Sequence, residues 1–451
     1  MHVGNTVDIK DRIKGSAMGR FQIIVVAVCL LLVMIDGFDI AVMSLTAPHV
    51  RADWAISQSL IGYLLSASLL GMAIGSFSLS PLADRFGRRR LLLTGVSIAF
   101  VGTTLSAFTQ SATQLLGCRL ITGFGIGCMI AVIGVMLNEF SSKKRYGFIM
   151  GFYAAGINIG GMVGGAAAAP LIADHGWRAA FGLAAAATGV VMVASFVFLP
   201  ESVDYLVDKG KLDELNIVLR KMKYAPLQEL PPVATQDEPQ GAIKEVFGPT
   251  MIARTLLMMF GYSFLVISIY FLANWNPTLL SESSGDKGMG ATATVLWNFG
   301  GMAGCLAFGI LATWVQSRIL NVLFLAAAAI SALVYGIGIG HPGLAVAMIL
   351  VAGFMSNAGI AGYYSIIPPL FPSYVRATGY GMIIGFGRLA AVVSPILGGT
   401  LLDRGWSASQ TIILFAVPLA LSAVTCLVLD RTVKARELSA EVDALSVGAG
   451  R

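Results

Sequence analysis

The chain has 451 residues, 56% of them hydrophobic and 12% charged, and a mean hydropathy of +0.80. Soluble domains carry about 25% charged residues, so the composition excludes an ordinary soluble enzyme or binding module and implies a chain that crosses a membrane many times. The net charge of +6 is not gathered on one soluble domain, which argues against a nucleic-acid partner.

In chain order, a polar and basic tail over 1–20 precedes the first apolar run, which is too long for the apolar core of a cleavable leader. Twelve spans are expected: 21–47, 57–82, 91–109, 114–137, 147–172, 178–199, 251–280, 288–313, 320–340, 343–371, 374–402 and 407–429. The first carries Asp36 and Asp39 as its only charges. A carboxylate at mid-membrane depth costs about 2.5–3.5 kcal/mol. Three residues apart on a helix, the two share a face, which must look into protein or a watery cavity. The plainer alternative is a pair of acids that holds a neighbouring helix.

The polar interval 200–250 divides the spans into an N-terminal half (21–199) and a C-terminal half (251–429), with a second tail over 430–451. Residues 203–223 are expected to form an amphipathic surface helix, and the Pro-rich remainder of the interval reads as linker. Cys29, Cys118, Cys128, Cys305 and Cys426 all fall in apolar runs, which argues against a disulfide framework. His49, His175 and His341 fall at loop positions and His2 in the tail, so no metal cluster is expected. With both termini cytoplasmic, 24 of the 30 Lys and Arg lie on inside segments, four on outside loops, and Arg119 and Arg388 within spans; this asymmetry sets the orientation.

The halves echo each other. Phe140-Ser-Ser-Lys-Lys-Arg145 precedes span 5, and Phe371-Pro-Ser-Tyr-Val-Arg376 precedes span 11. Both spans hold a double glycine, Gly164-Gly165 and Gly398-Gly399, followed by Asp174 to Trp177 and Asp403 to Trp406 in one Asp-x-Gly-Trp pattern. An all-α membrane protein of twelve transmembrane helices in two pseudosymmetric six-helix halves follows.

The loop after span 2, Leu82-Ala-Asp84-Arg85-Phe-Gly87-Arg88-Arg89-Arg90, resembles the signature loop of major facilitator superfamily transporters. Ser80 stands where that family places a glycine, and the equivalent loop in the second half, Gly309 to Arg318, is degraded. The resemblance implies that Asp84, Arg85, Gly87, Arg88 and Arg89, with Glu139, Arg145 and Arg376, form a conformational latch. Arg119 opens Arg-Leu-Ile-Thr-Gly123 in span 4, which resembles the helix-4 motif of proton-coupled members. There such an arginine pairs with an ionised helix-1 acid, here Asp39; a purely structural pair is the alternative. Span 5 is similar to the motif of drug antiporters but has Gly161 in place of their proline, and Leu199-Pro200-Glu201-Ser202 resembles an element of sugar and organic-acid porters.

Asp36-Gly37-Phe38-Asp39 resembles the helix-1 signature of the aromatic acid:proton symporter family, with Arg388 of span 11 in support. That resemblance implies proton coupling through Asp36, Asp39 and Arg119, and a substrate carboxylate held by Arg388 or Arg119. Aromatic and polar residues within spans suit such a ligand: Tyr63, Tyr153, Asn158, Tyr262, Tyr270, Trp297, Asn298, Tyr363 and Tyr364, since rings stack on rings for about 0.5–1.5 kcal/mol beyond burial. The chain contains no nucleotide-binding loop and no nucleophile–base set, so it is expected to be no enzyme and to need no cofactor beyond a proton gradient. The expectation is a monomeric, multi-pass inner-membrane importer of a hydroxybenzoate- or benzoate-like acid. The alternatives are a sugar or sialic-acid porter and, after it, a drug:proton antiporter.

Overall fold

The structure is a computed structural model that describes residues 9–230, 242–249, 251–286, 288–372 and 375–449. Among these residues twelve long helices occur: α1 Arg20–Trp54, α2 Gln58–Phe86, α3 Arg88–Ser106, α4 Ala112–Phe140, α5 Lys143–His175, α6 Trp177–Phe198, α7 Ile252–Ser284, α8 Gly288–Leu311, α9 Ser317–Gly338, α10 Pro342–Ile366, α11 Arg376–Asp403 and α12 Ala408–Ala449. Eleven are long and apolar enough to cross a bilayer. The exception, α3, opens on three arginines and carries Thr94, Ser97, Thr103, Thr104 and Ser106, which lower its hydropathy.

Local chemistry sets the helix ends. Ser57 and Ser111 cap α2 and α4, their side chains accepting from the amides of Leu60 and Gln114, which satisfies donors that a first helical turn leaves open. Between α2 and α3 the chain reverses at Gly87, whose φ of +104° suits a residue without Cβ. Two boundaries differ from expectation. α1 continues to Trp54 instead of stopping near 47, and α12 runs on through the expected tail to Ala449. The amphipathic helix expected over 203–223 is two short helices, Val203–Asp208 and Leu212–Lys221. They are separated at Gly210, where φ is +70°. Of the expected linker, residues 231–241 and 250 lie outside the described residues, and Ala242–Val246 forms a short helix.

Packing repeats with a period of six helices. α2 and α3 pack on α4 and α1 on α5, as α8 and α9 pack on α10 and α7 on α11. Missing side chains make these contacts close: a Cβ on Gly37 would overlap the Ile157 carbonyl of α5, and one on Gly123 the Ser68 carbonyl of α2. Small residues allow such approach where no hydrophobic effect drives helices together in lipid. Outward, Val190, Val193 and Val197 of α6 and Leu323, Ile330 and Ile337 of α9 form exposed apolar rows of the kind that lipid covers.

The halves meet along α2–α11 and α5–α8, with α1 beside α7. On the side away from the termini, polar groups pin them together. Arg51 donates to Glu282 at 2.6 Å, and the Gln58 side chain donates to the same carboxylate at 3.2 Å. The amides of Gln58 and Ser59 donate to Asp403 at 2.9 and 2.7 Å.

Candidate functional site

Two arrangements of charge lie in the interior. In the first, Arg119 of α4 donates to both carboxylate oxygens of Asp39, at 2.5 and 2.6 Å, and to its backbone carbonyl at 3.2 Å. Ser68 of α2 adds a bond to the same carboxylate at 2.9 Å. Asp39 and Arg119 are 3% and 1% exposed, and the guanidinium lies 5.9 Å from the Phe181 ring of α6. This is a fork-on-fork ion pair with its acid saturated. The close α2–α4 approach at Gly123 brings Ser68 within reach.

The second arrangement lies between the halves. Asp36 sits one turn before Asp39, is also buried, and has a carboxylate oxygen without a hydrogen-bond partner. The charges that act on it are those of Asp39 and of Arg388 on α11. Arg388 crosses the interface to donate to Ser76 of α2 at 2.7 Å. The charge of Arg388 acts on Tyr153, Tyr270, Tyr364 and Tyr380, and that of Asp36 on Tyr153 and Tyr270. The Tyr262 and Tyr364 hydroxyls lie 3.5 Å apart, and the Tyr364 and Tyr380 rings 6.2 Å apart. Alongside, Asn158 of α5 donates across the interface to Asn357 of α10 at 3.3 Å, and Asn298 of α8 abuts Gly161. The chemistry offered is a guanidinium for a carboxylate, hydroxyls and amides for ring substituents, and aromatic walls.

Several sequence expectations are corrected. Tyr63 is 49% exposed and shares a helix face with the exposed apolar Leu70 and Ile74, so it faces outward and lines no cavity. Tyr363 is fully buried in the wall, its hydroxyl 2.8 Å from that of Ser422 on α12. Successive helical residues diverge by about 100°, so Tyr363 and Tyr364 cannot both face the centre. Trp297 is buried on the α8 face that packs on α10. Tyr380 was missed, although it lies eight residues before Arg388 and so on the same face. Asn357 was an amide in an apolar run, a usable signal. Ser68 and Ser76 gave none, because serine is common in membrane helices.

Of the expected latch residues, Arg88 pairs with Glu139 and donates to Ser202 at 2.9 Å. Glu139 also accepts from the Ser202 hydroxyl at 2.8 Å and the Val203 amide at 2.9 Å. The Arg89 amide donates to Glu201 at 2.9 Å, and its side chain donates to the carbonyls of Leu199 and Phe196. A Cβ at Gly87 would strike Glu201. The Pro-Glu-Ser element is thus built into this cluster, at the end of the N-terminal half that carries the tails. The Arg85 and Arg145 side chains are exposed, the Arg85 carbonyl accepts from the Tyr205 hydroxyl beside the cluster at 3.5 Å, and Arg376 donates to the Phe371 carbonyl at 3.3 Å. The Asp84 side chain falls outside the described residues.

Two six-helix halves around a polar, arginine-bearing cluster, with apolar rows outside, define a multi-pass membrane transporter. A family model described as Major Facilitator Superfamily matches residues 29–340, and the chain belongs to that superfamily. The 4-hydroxybenzoate transporters of Pseudomonas putida and Acinetobacter baylyi are 29% and 30% identical to it over 437 and 436 residues. Each alignment covers 94% of this chain, and 96% and 94% of the respective relatives. A gallate transporter of Pseudomonas putida is 27% identical over 429 residues, covering 93% of this chain and 94% of the relative. Among solved structures, the xylose transporter XylE from E. coli, in a partially occluded inward-open conformation, superposes with a TM-score of 0.72 at 17% identity. That match covers 90% of this chain and 97% of XylE.

Proposed function

We propose that this transporter imports an aromatic carboxylic acid, of the hydroxybenzoate or benzoate kind, together with protons. It acts as a monomer with twelve spans in a bacterial inner membrane, both termini in the cytoplasm, and draws on the proton gradient without a cofactor. The observation that carries this reading is the Arg388 guanidinium, which reaches across the interface between halves to Ser76 at 2.7 Å, with Tyr153, Tyr270, Tyr364 and Tyr380 of both halves within the reach of its charge. A carboxylate takes a planar fork in two parallel bonds, and the rings provide a surface for an aromatic body. The names of the relatives, transporters of 4-hydroxybenzoate and gallate, point to the same substrate class.

In use, the substrate binds between the halves, and these rock about it so that the site opens to each side in turn. The contacts of Arg51, Gln58 and Ser59 with Glu282 and Asp403 close one side. The cluster of Arg88, Arg89, Glu139 and Glu201 serves as the latch that braces the N-terminal half. The test is uptake of labelled 4-hydroxybenzoate, benzoate, xylose and sialate into proteoliposomes under an inward-directed proton gradient. Accumulation of an aromatic acid, abolished by a protonophore, is the expected result. Accumulation of a sugar alone, or uptake driven by sodium, would overturn the reading.

A further inference from the structure

Helix α2 brings a serine to each interior arginine arrangement, and the two serines act in opposite senses. Ser68 donates to the Asp39 carboxylate that Arg119 already holds. Ser76, eight residues on and so on the same side of α2, accepts from Nη1 of Arg388 at 2.7 Å. Its own proton goes to the Ala73 carbonyl at 3.1 Å, within α2, which leaves its lone pairs for the guanidinium.

The charge of the partner decides what each arginine can do. Arg119 has both Nη atoms on a carboxylate, so its charge is cancelled and its fork is occupied. Arg388 has no carboxylate in ion-pair contact among the described residues, and its hydrogen-bond partner there is the uncharged Ser76. A neutral acceptor on Nη1 holds the group in place, yet leaves its charge uncancelled. It also leaves the edge formed by Nε and Nη2, two parallel donors of the kind a carboxylate takes. Arg388 and Ser76 are half-buried, whereas Arg119 and Asp39 are fully buried. Packing fixes the register of the contact. A Cβ on Gly385 would meet the Phe77 ring at 3.1 Å, so the residue after Ser76 lies against α11 one turn before Arg388. Towards Asp403 the same two helices close backbone on backbone, Gly62 against the Pro395 carbonyl and Gly399 against that of Gln58.

We propose that Ser76 is a positioning residue for the substrate carboxylate: it pins Nη1 of Arg388 from the opposite half, so that the Nε–Nη2 edge is already set to receive the carboxylate in two parallel bonds. This deepens the proposed function and rests on its assignment of the substrate carboxylate to Arg388. An arginine on a freely rotating stem would be ordered only as the ligand binds, and that ordering is subtracted from affinity; anchoring it beforehand removes the loss. An acid at position 76 would anchor it equally well and fill the fork. Serine anchors without competing.

The test compares substitutions at Ser76 in the purified full chain, by equilibrium binding and by proteoliposome uptake of 4-hydroxybenzoate. Ser76→Ala should weaken binding and raise KM about tenfold, a factor equal to about 1.4 kcal/mol, with Vmax within about twofold and the thermal unfolding midpoint near that of the unaltered protein. Ser76→Thr keeps the hydroxyl and should bind within about twofold of the unaltered chain. Ser76→Asp places a carboxylate on the guanidinium and should bind about a hundredfold more weakly or worse, while unfolding at or above the normal midpoint. Unchanged affinity in Ser76→Ala, a loss confined to Vmax, a loss that tracks a lowered midpoint, or equal weakening in Ser76→Ala and Ser76→Thr would overturn the assignment. So would an affinity in Ser76→Asp equal to that of Ser76→Ala. Failure of the unaltered protein to bind any aromatic acid, or unchanged affinity in Arg388→Lys, would instead strike the substrate reading on which it rests.

Discussion

The two acid–arginine arrangements use the same residue types and differ in how completely the acid is engaged. Asp39 lies within one half, and its partners on α2 and α4 are fixed by close helix contacts; every strong bond it can make to the arginine is made. Asp36 lies one turn away at the seam between halves with a carboxylate oxygen that has no hydrogen-bond partner, while Arg388 of the opposite half, whose charge acts on it, donates to Ser76. A saturated pair inside a rigid body holds structure. An acid with an open oxygen at the seam between halves is left for something else to engage. One helical turn therefore separates a fully bonded acid from one with an open oxygen.

Removing the brace should have the largest effect. Arg119→Ala leaves Asp39 as a buried, unpaired carboxylate, which costs about 3–5 kcal/mol when one partner of a buried pair is lost. Thermal unfolding in detergent should show a large drop in midpoint, partly restored by the second change Asp39→Asn. An unshifted midpoint would mean that the two pairs are alike.

At the seam, Arg388→Lys should leave the unfolding midpoint near that of the unaltered protein and weaken substrate binding by about ten- to a hundredfold. A point charge keeps attraction but loses the bidentate bonds, each charged hydrogen bond being worth roughly 1.5–3 kcal/mol. Equilibrium binding of 4-hydroxybenzoate checks this. A large fall in stability with unchanged affinity would reverse the roles of the two arginines.

The smallest effect sharpens the boundary of the site. Tyr364→Phe removes a hydroxyl that sits 3.5 Å from that of Tyr262 at the seam and should change relative affinity among ring-substituted acids severalfold. Tyr63→Phe, on the outward face beside Leu70 and Ile74, should leave the same series within about twofold. Equal sensitivity of the two would return Tyr63 to the cavity.

The sequence by itself determined the all-helical membrane architecture, because runs of about twenty apolar residues have no other solution in a bilayer. It also marked the interior charges, since Asp36, Asp39, Arg119 and Arg388 stand out within apolar spans whatever the fold. The repeated Asp-x-Gly-Trp and double-glycine patterns carried the two-half organisation. What the tertiary structure alone decided was partnership and direction. The helical period places a residue on a face, but which face meets another helix depends on packing between segments distant in sequence. That is why Tyr63 and Tyr363 read as site residues yet lie on an outward face and in the wall, why Ser68 and Ser76 gave no signal, and why Glu201 joined Arg89. The same limit separated Asp36 from Asp39. Three residues apart and chemically identical, they are distinguished only by what α2, α4 and α11 bring to each.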